Sequence, residues 1–435
     1  MDPIVVGIIG TIALFILIFS GMPIALALMV VGMLGIWELA SVSAALPVAS
    51  RTLFAIVNNY AYMVIPLFIL MGSFASLGGL IGELYSAFEK WLRKMPGGLG
   101  AATIAASAAF SAVSGSSVAT AAAMTGIAYP EMKKFNYSTR LATGTIAAGG
   151  TLGFLIPPSI GFVVFGMLTE QSIGKLLISG IIPGIALALI CIITVVIMVK
   201  RNPALAPANN EPISWKERFI ALKNVLLTLL VFLTVMGGIY LGWFSPTEAA
   251  AVGASMLFFI AIIKKKLSFS NFFKALIEAT RISTMVLFLV VGASVFTYFL
   301  GLSGIPRELA TWVVGLEVSR YLVFGIILII FLFLGCFIDA ISMMVLTMPV
   351  IFPVILELGF DPIFFGVVCV LMMNAGLITP PMGLNLYTIA GCAKDAKMED
   401  IFLGALPFLI PILLTVLLIT IFPEIALFLP KMMLK

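Results

Sequence analysis

Apolar stretches long enough to cross a bilayer recur along the whole chain, divided by short polar loops. A crossing helix needs about 20 apolar residues. Residues 4–19 and 23–38 read as two spans parted near Gly21-Met22-Pro23, and residues 54–78 as a third. The basic strip from Glu83 to Lys94 reads as a helix lying in the interface. Two stretches dominated by small residues follow, 99–114 and 117–130, with Ser114-Gly115-Ser116-Ser117 between them. Each is short for a crossing, so together they predict a re-entrant helical hairpin over about 99–130. The segment 141–168 is apolar but broken at Pro157-Pro158, and 176–199 is a further span. Proline lacks an N–H and clashes with the preceding turn, so two in a row end a helix.

The same order of elements then returns. Spans are predicted over 222–243, 247–263 and 282–300, and an amphipathic piece over 305–318. A second hairpin follows over about 321–353, with halves 321–336 and 340–353 and Asp339 between them. A broken helix over 362–392 is split at Pro380-Pro381, and a final span covers 401–422. The letters repeat as well. Ile156-Pro157-Pro158-Ser159 returns 223 positions on as Thr379-Pro380-Pro381-Met382, and the same offset pairs Pro23 with Pro246, Pro130 with Pro353 and Gly153 with Gly376. Residues 200–218, with Pro203, Pro207, Asn209, Asn210 and Pro212, have linker character. The chain therefore reads as two repeats, 1–208 and 209–435. A re-entrant hairpin adds no net crossing, so each repeat crosses an odd number of times and the second is inverted relative to the first. The predicted fold is an all-α polytopic membrane protein of two inverted repeats, each with a re-entrant hairpin and a Pro-Pro-broken transmembrane helix.

Composition strengthens this reading. Hydrophobic residues are 62% of the chain and charged ones 10%, against about 25% charged in soluble domains. The net charge of +5 matters less than where it sits. With the N-terminus outside, 18 of the 24 Lys and Arg residues, Lys264-Lys265-Lys266 among them, fall in inner loops. That bias follows the positive-inside rule. The C-terminus is then outside too, the first hairpin opens inward and the second outward. The basic excess reads as a topology signal, not as a nucleic-acid surface. No basic stretch precedes the first apolar segment, so no cleaved signal peptide is expected. Cys191, Cys336, Cys369 and Cys392 stand in apolar segments without metal or redox spacing and read as packing residues. Histidine is absent, which excludes Ser-His catalysis. An aspartyl protease needs two intramembrane acids, and only Asp339 qualifies clearly. No enzyme is expected.

The breaks and tips carry the candidate chemistry. A helix broken at mid-membrane frees backbone carbonyls where no water can bond them, a state that survives only beside a cavity or a ligand. Freed carbonyls suit a hard cation such as Na⁺, and new helix N-termini attract anions. A packing kink is the other reading, weakened by the matching positions of the two breaks. The hairpin tips are natural partners for the breaks. Ser114, Ser116 and Ser117 offer hydroxyls, with Thr120 about one turn beyond Ser116. The repeat offset sets Asp339 opposite Ser116. A carboxylate in so apolar a segment needs a partner, and a cation ligand and a cap on the second half-helix both fit. Asn374, Gly376, Thr379, Asn385 and Tyr387 gather polar groups around the second break. Asn385 and Tyr387, just after the Pro pair, are placed to line a substrate cavity or to bond between helices. Ser245-Pro246-Thr247-Glu248 reads as a helix start.

At these residues the chain resembles the large membrane subunit of the tripartite ATP-independent periplasmic (TRAP) transporters. The resemblance rests on Ser114-Gly115-Ser116-Ser117-Val118-Ala119-Thr120, Leu155-Ile156-Pro157-Pro158-Ser159, Phe244-Ser245-Pro246-Thr247-Glu248-Ala249-Ala250, Leu334-Gly335-Cys336-Phe337-Ile338-Asp339-Ala340 and Leu377-Ile378-Thr379-Pro380-Pro381-Met382-Gly383. These motifs span the chain. The resemblance implies a sodium-driven importer of an anionic organic acid, such as a C4-dicarboxylate or sialic acid, in a bacterial inner membrane with both termini periplasmic. It implies an elevator motion, in which a hairpin-bearing transport domain slides against a scaffold. Carried onto this chain, one Na⁺ site would lie among Ser114, Ser116, Gly153, Ile156 and Pro157, and a second among Asp339, Gly376, Thr379 and Pro380. The substrate would meet Ser117, Ser159 and Asn385, with Thr120 and Asn374 as further candidates. Two protein partners are implied besides the lipid bilayer. One is a small four-helix membrane subunit, expected as a separate chain because this one starts directly with the large subunit; the other is a periplasmic binding protein. No Gly-x-x-x-x-Gly-Lys-Ser/Thr loop is present, which fits a transporter that uses no ATP. A stand-alone sodium/carboxylate symporter needing no binding protein is the runner-up, and a passive channel the other alternative.

Overall fold

A computed structural model describes residues 2–207, 213–316 and 318–433, with only the helical placement of Asn224. The expected repeat boundary at 208/209, with Asn209, Asn210 and Pro212, lies outside the described residues. Among those described, every regular element is a helix.

The first half opens with α1 (Pro3–Phe19), which Asp2 caps through a hydrogen bond from Ile4 N to its carboxylate, and α2 (Ile24–Leu39). The third span departs from expectation. A separate helix, α3 (Val42–Val57), ends at Asn58, and a short 3₁₀ turn over Tyr60–Met63 leads into α4 (Val64–Leu77). The consecutive Asn58 and Asn59 explain the break, since Asn59 bonds Ala61 N through its side chain and so competes with helix continuation. Next come α5 (Leu80–Leu92), the hairpin helices α6 (Gly98–Ser114) and α7 (Ser117–Lys134), and the broken pair α8 (Thr139–Leu155) and α9 (Ile160–Thr169), bent by 41°. The half closes with α10 (Ile173–Ser179) and α11 (Ile181–Arg201).

The second half begins with α12 (Trp215–Tyr240) and α13 (Pro246–Ile263), each started by a capping box, Ser214 with Glu217 and Ser245 with Glu248. Where the first half has α3 and α4, the second has one 35-residue helix, α14 (Phe269–Ser303). The span expected over 282–300 is only its latter part. Next are α15 (Ile305–Gly315), the hairpin helices α16 (Arg320–Gly335) and α17 (Ala340–Glu357), and the broken pair α18 (Pro362–Leu377) and α19 (Leu384–Cys392). The expected final span divides into α20 (Met398–Ala405) and α21 (Leu409–Ile421), with Pro407 in the 3₁₀ turn between them. A last helix, α22 (Glu424–Met432), was not expected. Pro423 ends the span and begins it.

Among the described residues, seven helical stretches are long and apolar enough to cross a membrane, eight if α8–α9 counts as one. The sequence reading has five crossings in each repeat, a count not matched by length alone. α1 and α2, at 17 and 16 residues, fall short of the usual span.

Two helices form the centre. Every residue of α8 from Leu141 to Leu155 is buried, and every residue of α18 from Ile363 to Leu377. A helix apolar all round must be enclosed by protein or lipid, and these two are enclosed by the other elements. The halves interlock here. A Cβ added at Gly144 of α8 would lie 2.0 Å from the Gly404 carbonyl oxygen of α20, and one at Gly404 would lie 2.1 Å from that of Arg140. Only glycine permits this approach. Arg140 Nε bonds Asp400 Oδ1 at 2.8 Å, and Lys133 pairs with Asp395. A second packing cluster joins α1 and α2 to α14, with the Phe299 ring seated against Gly10 and Gly35.

Candidate functional site

Each hairpin tip meets the break of its own half. In the first half, Gly115 holds the left-handed conformation (φ +68°) that ends α6, and Ile160 N donates to its carbonyl at 3.4 Å. A Cβ added at Gly115 would lie 2.6 Å from the Pro158 carbonyl oxygen, and one at Gly153 would lie 2.6 Å from that of Ser116. Thus Ser114, Ser116 and Gly153 come together, with Ile156 and Pro157 following directly at the end of α8. The C-termini of α6 and α8 face one another, and each presents carbonyls without an intrahelical partner. Two such ends make a locally negative site of oxygen ligands, suited to a hard cation.

The second half repeats the arrangement with a carboxylate added. The Cα of Gly376 and an added Cβ on Gly335 would stand 2.8 Å apart, so α16 and α18 touch backbone to backbone just before their ends. Met382 N donates to the Cys336 carbonyl at 3.0 Å. Asp339 caps α17, its Oδ1 accepting from Ile341 N and Ser342 N, both at 3.1 Å. The capping role of Asp339 is therefore present. Its Oδ2 has no hydrogen-bond partner among the described residues, and the residue lines a cavity of about 300 Å³ shared with Gly335, Gly376 and Gly383. Thr379 turns its hydroxyl back to the Ala375 carbonyl at 2.6 Å, and Pro380 follows it at the break. Both double prolines contain a cis bond, Pro157-Pro158 and Pro380-Pro381.

Between the two halves, Ser117 and Asn385 meet. Asn385 Nδ2 donates to Ser117 Oγ at 2.8 Å, and both residues are buried. Ser117 opens α7 and Asn385 is the second residue of α19, so two helix N-termini converge on this pair and favour negative charge there. Gly150 of α8 permits the approach, since a Cβ there would lie 3.0 Å from Asn385 Nδ2.

The other expected substrate residues are engaged locally. Ser159 is wholly buried, caps α9 through Phe162 N and donates to the Phe154 carbonyl at 2.5 Å. Thr120 donates to the Ser116 carbonyl at 2.8 Å and sits between the first tip and Gly153. Asn374 is wholly buried on α18, and neither of its amide atoms has a hydrogen-bond partner among the described residues.

The sequence reading missed the walls. Gly72 of α4 lies against the first tip, where an added Cβ would come within 2.4 Å of the Ser114 carbonyl oxygen. A crevice of about 140 Å³ runs from Ser114 and Ser116 to Ser73 and Ser76 of α4 and to Lys274 and Glu278 of α14. Neither of those charges is ion-paired among the described residues. Both stand on α14 ahead of the span expected over 282–300, and their spacing of one helical turn was the signal that could have found them.

Residues 11–425 match the family described as the tripartite ATP-independent periplasmic transporter, DctM component. The chain is 35% identical to the C4-dicarboxylate TRAP transporter large permease protein DctM of Pseudomonas aeruginosa, over 87% of this chain and 88% of that one. It is 30% identical to the sialic acid TRAP transporter large permease protein SiaM of Vibrio cholerae, covering 96% and 97%. It is 34% identical to the isethionate TRAP transporter permease protein DctMQ of Oleidesulfovibrio alaskensis, over 98% of this chain but 66% of that longer protein. Among solved structures, the YdaH transporter of Alcanivorax borkumensis shares the fold, with a TM-score of 0.59 and 16% identity over 87% of this chain and 89% of that one.

Proposed function

The chain belongs to the DctM component family of the tripartite ATP-independent periplasmic transporters, and from that membership we propose that it couples inward Na⁺ movement to import of an anionic organic acid. One observation carries the proposal: two hairpin tips close on two Pro-Pro breaks, each pairing two helix C-termini, with the Ser117–Asn385 contact between the halves. In this reading Na⁺ sits at each tip–break junction. Ser114, Ser116, Gly153, Ile156 and Pro157 serve the first site, and Asp339, Gly376, Thr379 and Pro380 the second. Asp339 Oδ2 supplies the one formal charge. The acid binds at the N-termini of α7 and α19, against Ser117 and Asn385. Ser159 acts by fixing the start of α9, Thr120 by holding the first tip, and Asn374 by offering an unpaired amide inside the moving unit.

The substrate is a C4-dicarboxylate, sialic acid or a similar carboxylate, the first two being the classes named for relatives. A periplasmic binding protein delivers it, and a small membrane subunit completes the permease. The two halves are inverted repeats in a bacterial inner membrane with both termini periplasmic. The unit formed by α6–α9 and α16–α21 moves as an elevator against α1–α4 and α12–α14. Its internal contacts through Gly144 and Gly404 support motion as one body.

Reconstitution tests this reading. The chain is placed in liposomes with the small subunit, and radiolabelled succinate or N-acetylneuraminate is added with its binding protein. Accumulation is expected only under an inward Na⁺ gradient and only with the binding protein. Accumulation undiminished without Na⁺ refutes the coupling, and uptake without the binding protein replaces this reading with a stand-alone symporter.

A further inference from the structure

A groove of about 770 Å³ runs between α16, α18 and α21, outside the tip–break sites. Tyr321, Gly325, Leu328 and Leu332 of α16, Met372 of α18 and Leu417 of α21 line it. From Tyr321 to Leu332 the helix rises roughly 17 Å at 1.5 Å per residue. That is close to half of the roughly 30 Å hydrocarbon core, the depth of one leaflet. The walls are apolar, and neighbouring Leu322, Ile326 and Ile329 on the same helix are exposed.

The mouth differs in kind from the walls. Arg320 begins α16 and is exposed. Its Nη2 donates to Tyr321 Oη at 3.2 Å, and its guanidinium lies 5.0 Å from the Tyr321 ring centre and 5.3 Å from that of Phe360. Phe360 in turn stacks on Phe324, 4.8 Å away. The aromatic cluster therefore holds the cation at the groove's mouth. Arg320 is ion-paired with no carboxylate among the described residues, and Asp361 nearby uses its Oδ1 to cap α18. A fixed cation at the interfacial end of an apolar, leaflet-deep groove matches the charge and shape of one amphiphile.

We propose that this groove binds an anionic glycerophospholipid, an acyl chain lying along α16 and α21 and the phosphate held by Arg320. The site concerns lipid recognition and does not depend on the Na⁺ and substrate assignments above. Gly325 offers a clean way to close it, because a Cβ there meets nothing within 4 Å.

The test is native mass spectrometry of the full chain released from nanodiscs of phosphatidylglycerol and phosphatidylethanolamine in equal parts. The wild type is expected to retain one phosphatidylglycerol with a roughly fivefold preference, the ratio that about 1 kcal/mol per basic residue gives. Arg320→Gln should keep a bound lipid but lose the preference. Gly325→Phe should lose the bound lipid altogether, with melting temperature confirming that it is folded. The proposal fails if Arg320→Gln keeps the preference, or if folded Gly325→Phe keeps its lipid. It also fails if the wild type leaves the nanodisc as a dimer that Gly325→Phe abolishes, since a second copy would then occupy the groove. Should Gly325→Phe not fold, the Arg320→Gln ratio decides alone.

Discussion

Single residues here separate structural work from transport work. Asp339 caps α17 with one carboxylate oxygen, and the residue lines the cavity beside Gly376. Asn caps a helix as well as Asp does, whereas Ala costs about 1 kcal/mol. Asp339→Asn should therefore leave the melting temperature nearly unchanged while raising the Na⁺ concentration for half-maximal uptake severalfold. If the half-maximal concentration stays at the wild-type value, Asp339 is a cap only. Asn374 makes the opposite trade. Its buried amide is unsatisfied, a state that costs about 1–3 kcal/mol. Asn374→Leu should stabilise the protein on thermal denaturation and slow transport at least tenfold; a stable variant with full transport would remove Asn374 from the mechanism. The sequence exposed Asp339 because a charge stands out in an apolar run. The family resemblance gathered Ser117 and Asn385 at one substrate site, but their direct hydrogen bond was not legible, because the repeat offset pairs neither residue with the other.

The ends of α6, α8, α16 and α18 were legible because Ser114-Gly115-Ser116-Ser117, Asp339 and the double prolines leave strong local marks, whereas α17, expected to be short, is 18 residues long and apolar enough to cross. The division of α3 from α4 and the length of α14 were not legible. Asn58-Asn59 divides α3 from α4, while the stretch that the 223-residue offset sets against them continues unbroken as α14; the repeated letters invite the same outcome in both halves, and local side-chain chemistry decides otherwise. Tight element contacts are equally silent in one sequence, yet they yield a clear test. Gly153→Ala places a methyl against the Ser116 carbonyl, whereas the same change at Gly126 of α7 meets open space. Gly126→Ala should stabilise by about 0.5–1 kcal/mol through helix propensity alone and leave transport intact. Gly153→Ala should abolish most transport without unfolding the protein. Equal behaviour of the two variants in uptake assays would deny the first tip–break junction any role.

The whole molecule holds together across its halves. Lys133 lies at the end of α7 and Asp395 in the loop after α19. The hydrogen bond from Lys133 holds the Asp395 carboxyl below its ordinary range, and the same bond raises the Lys133 ammonium. A lowered carboxyl pKa contributes stability that is present above the unfolded value of about 4 and vanishes as pH falls through the folded one. The difference in melting temperature between wild type and Asp395→Asn should accordingly shrink below pH 4; a difference that persists at pH 3 would trace to something other than the ion pair. The elevator reading gives a second whole-molecule test, in a background without native cysteines. A disulfide between Lys133→Cys and Asp395→Cys should leave transport running, since both belong to the moving unit. One between Ser76→Cys and Ala119→Cys, across the crevice, should stop transport until it is reduced. Continued transport with that crosslink formed would rule out sliding at this surface.

The fit of Gly144 against Gly404 also bears on how the chain is made. Residues 140–155 reach the ribosomal exit long before residue 404 is synthesised. Until then the glycine-lined flank of α8 has no backbone to receive it. During synthesis the first half must wait, inserted but unsealed, with its most buried helix open to whatever the insertion machinery places beside it. A chain stalled before Met398 should therefore be held by that machinery or degraded, and the completed protein should become protease-resistant in one late step.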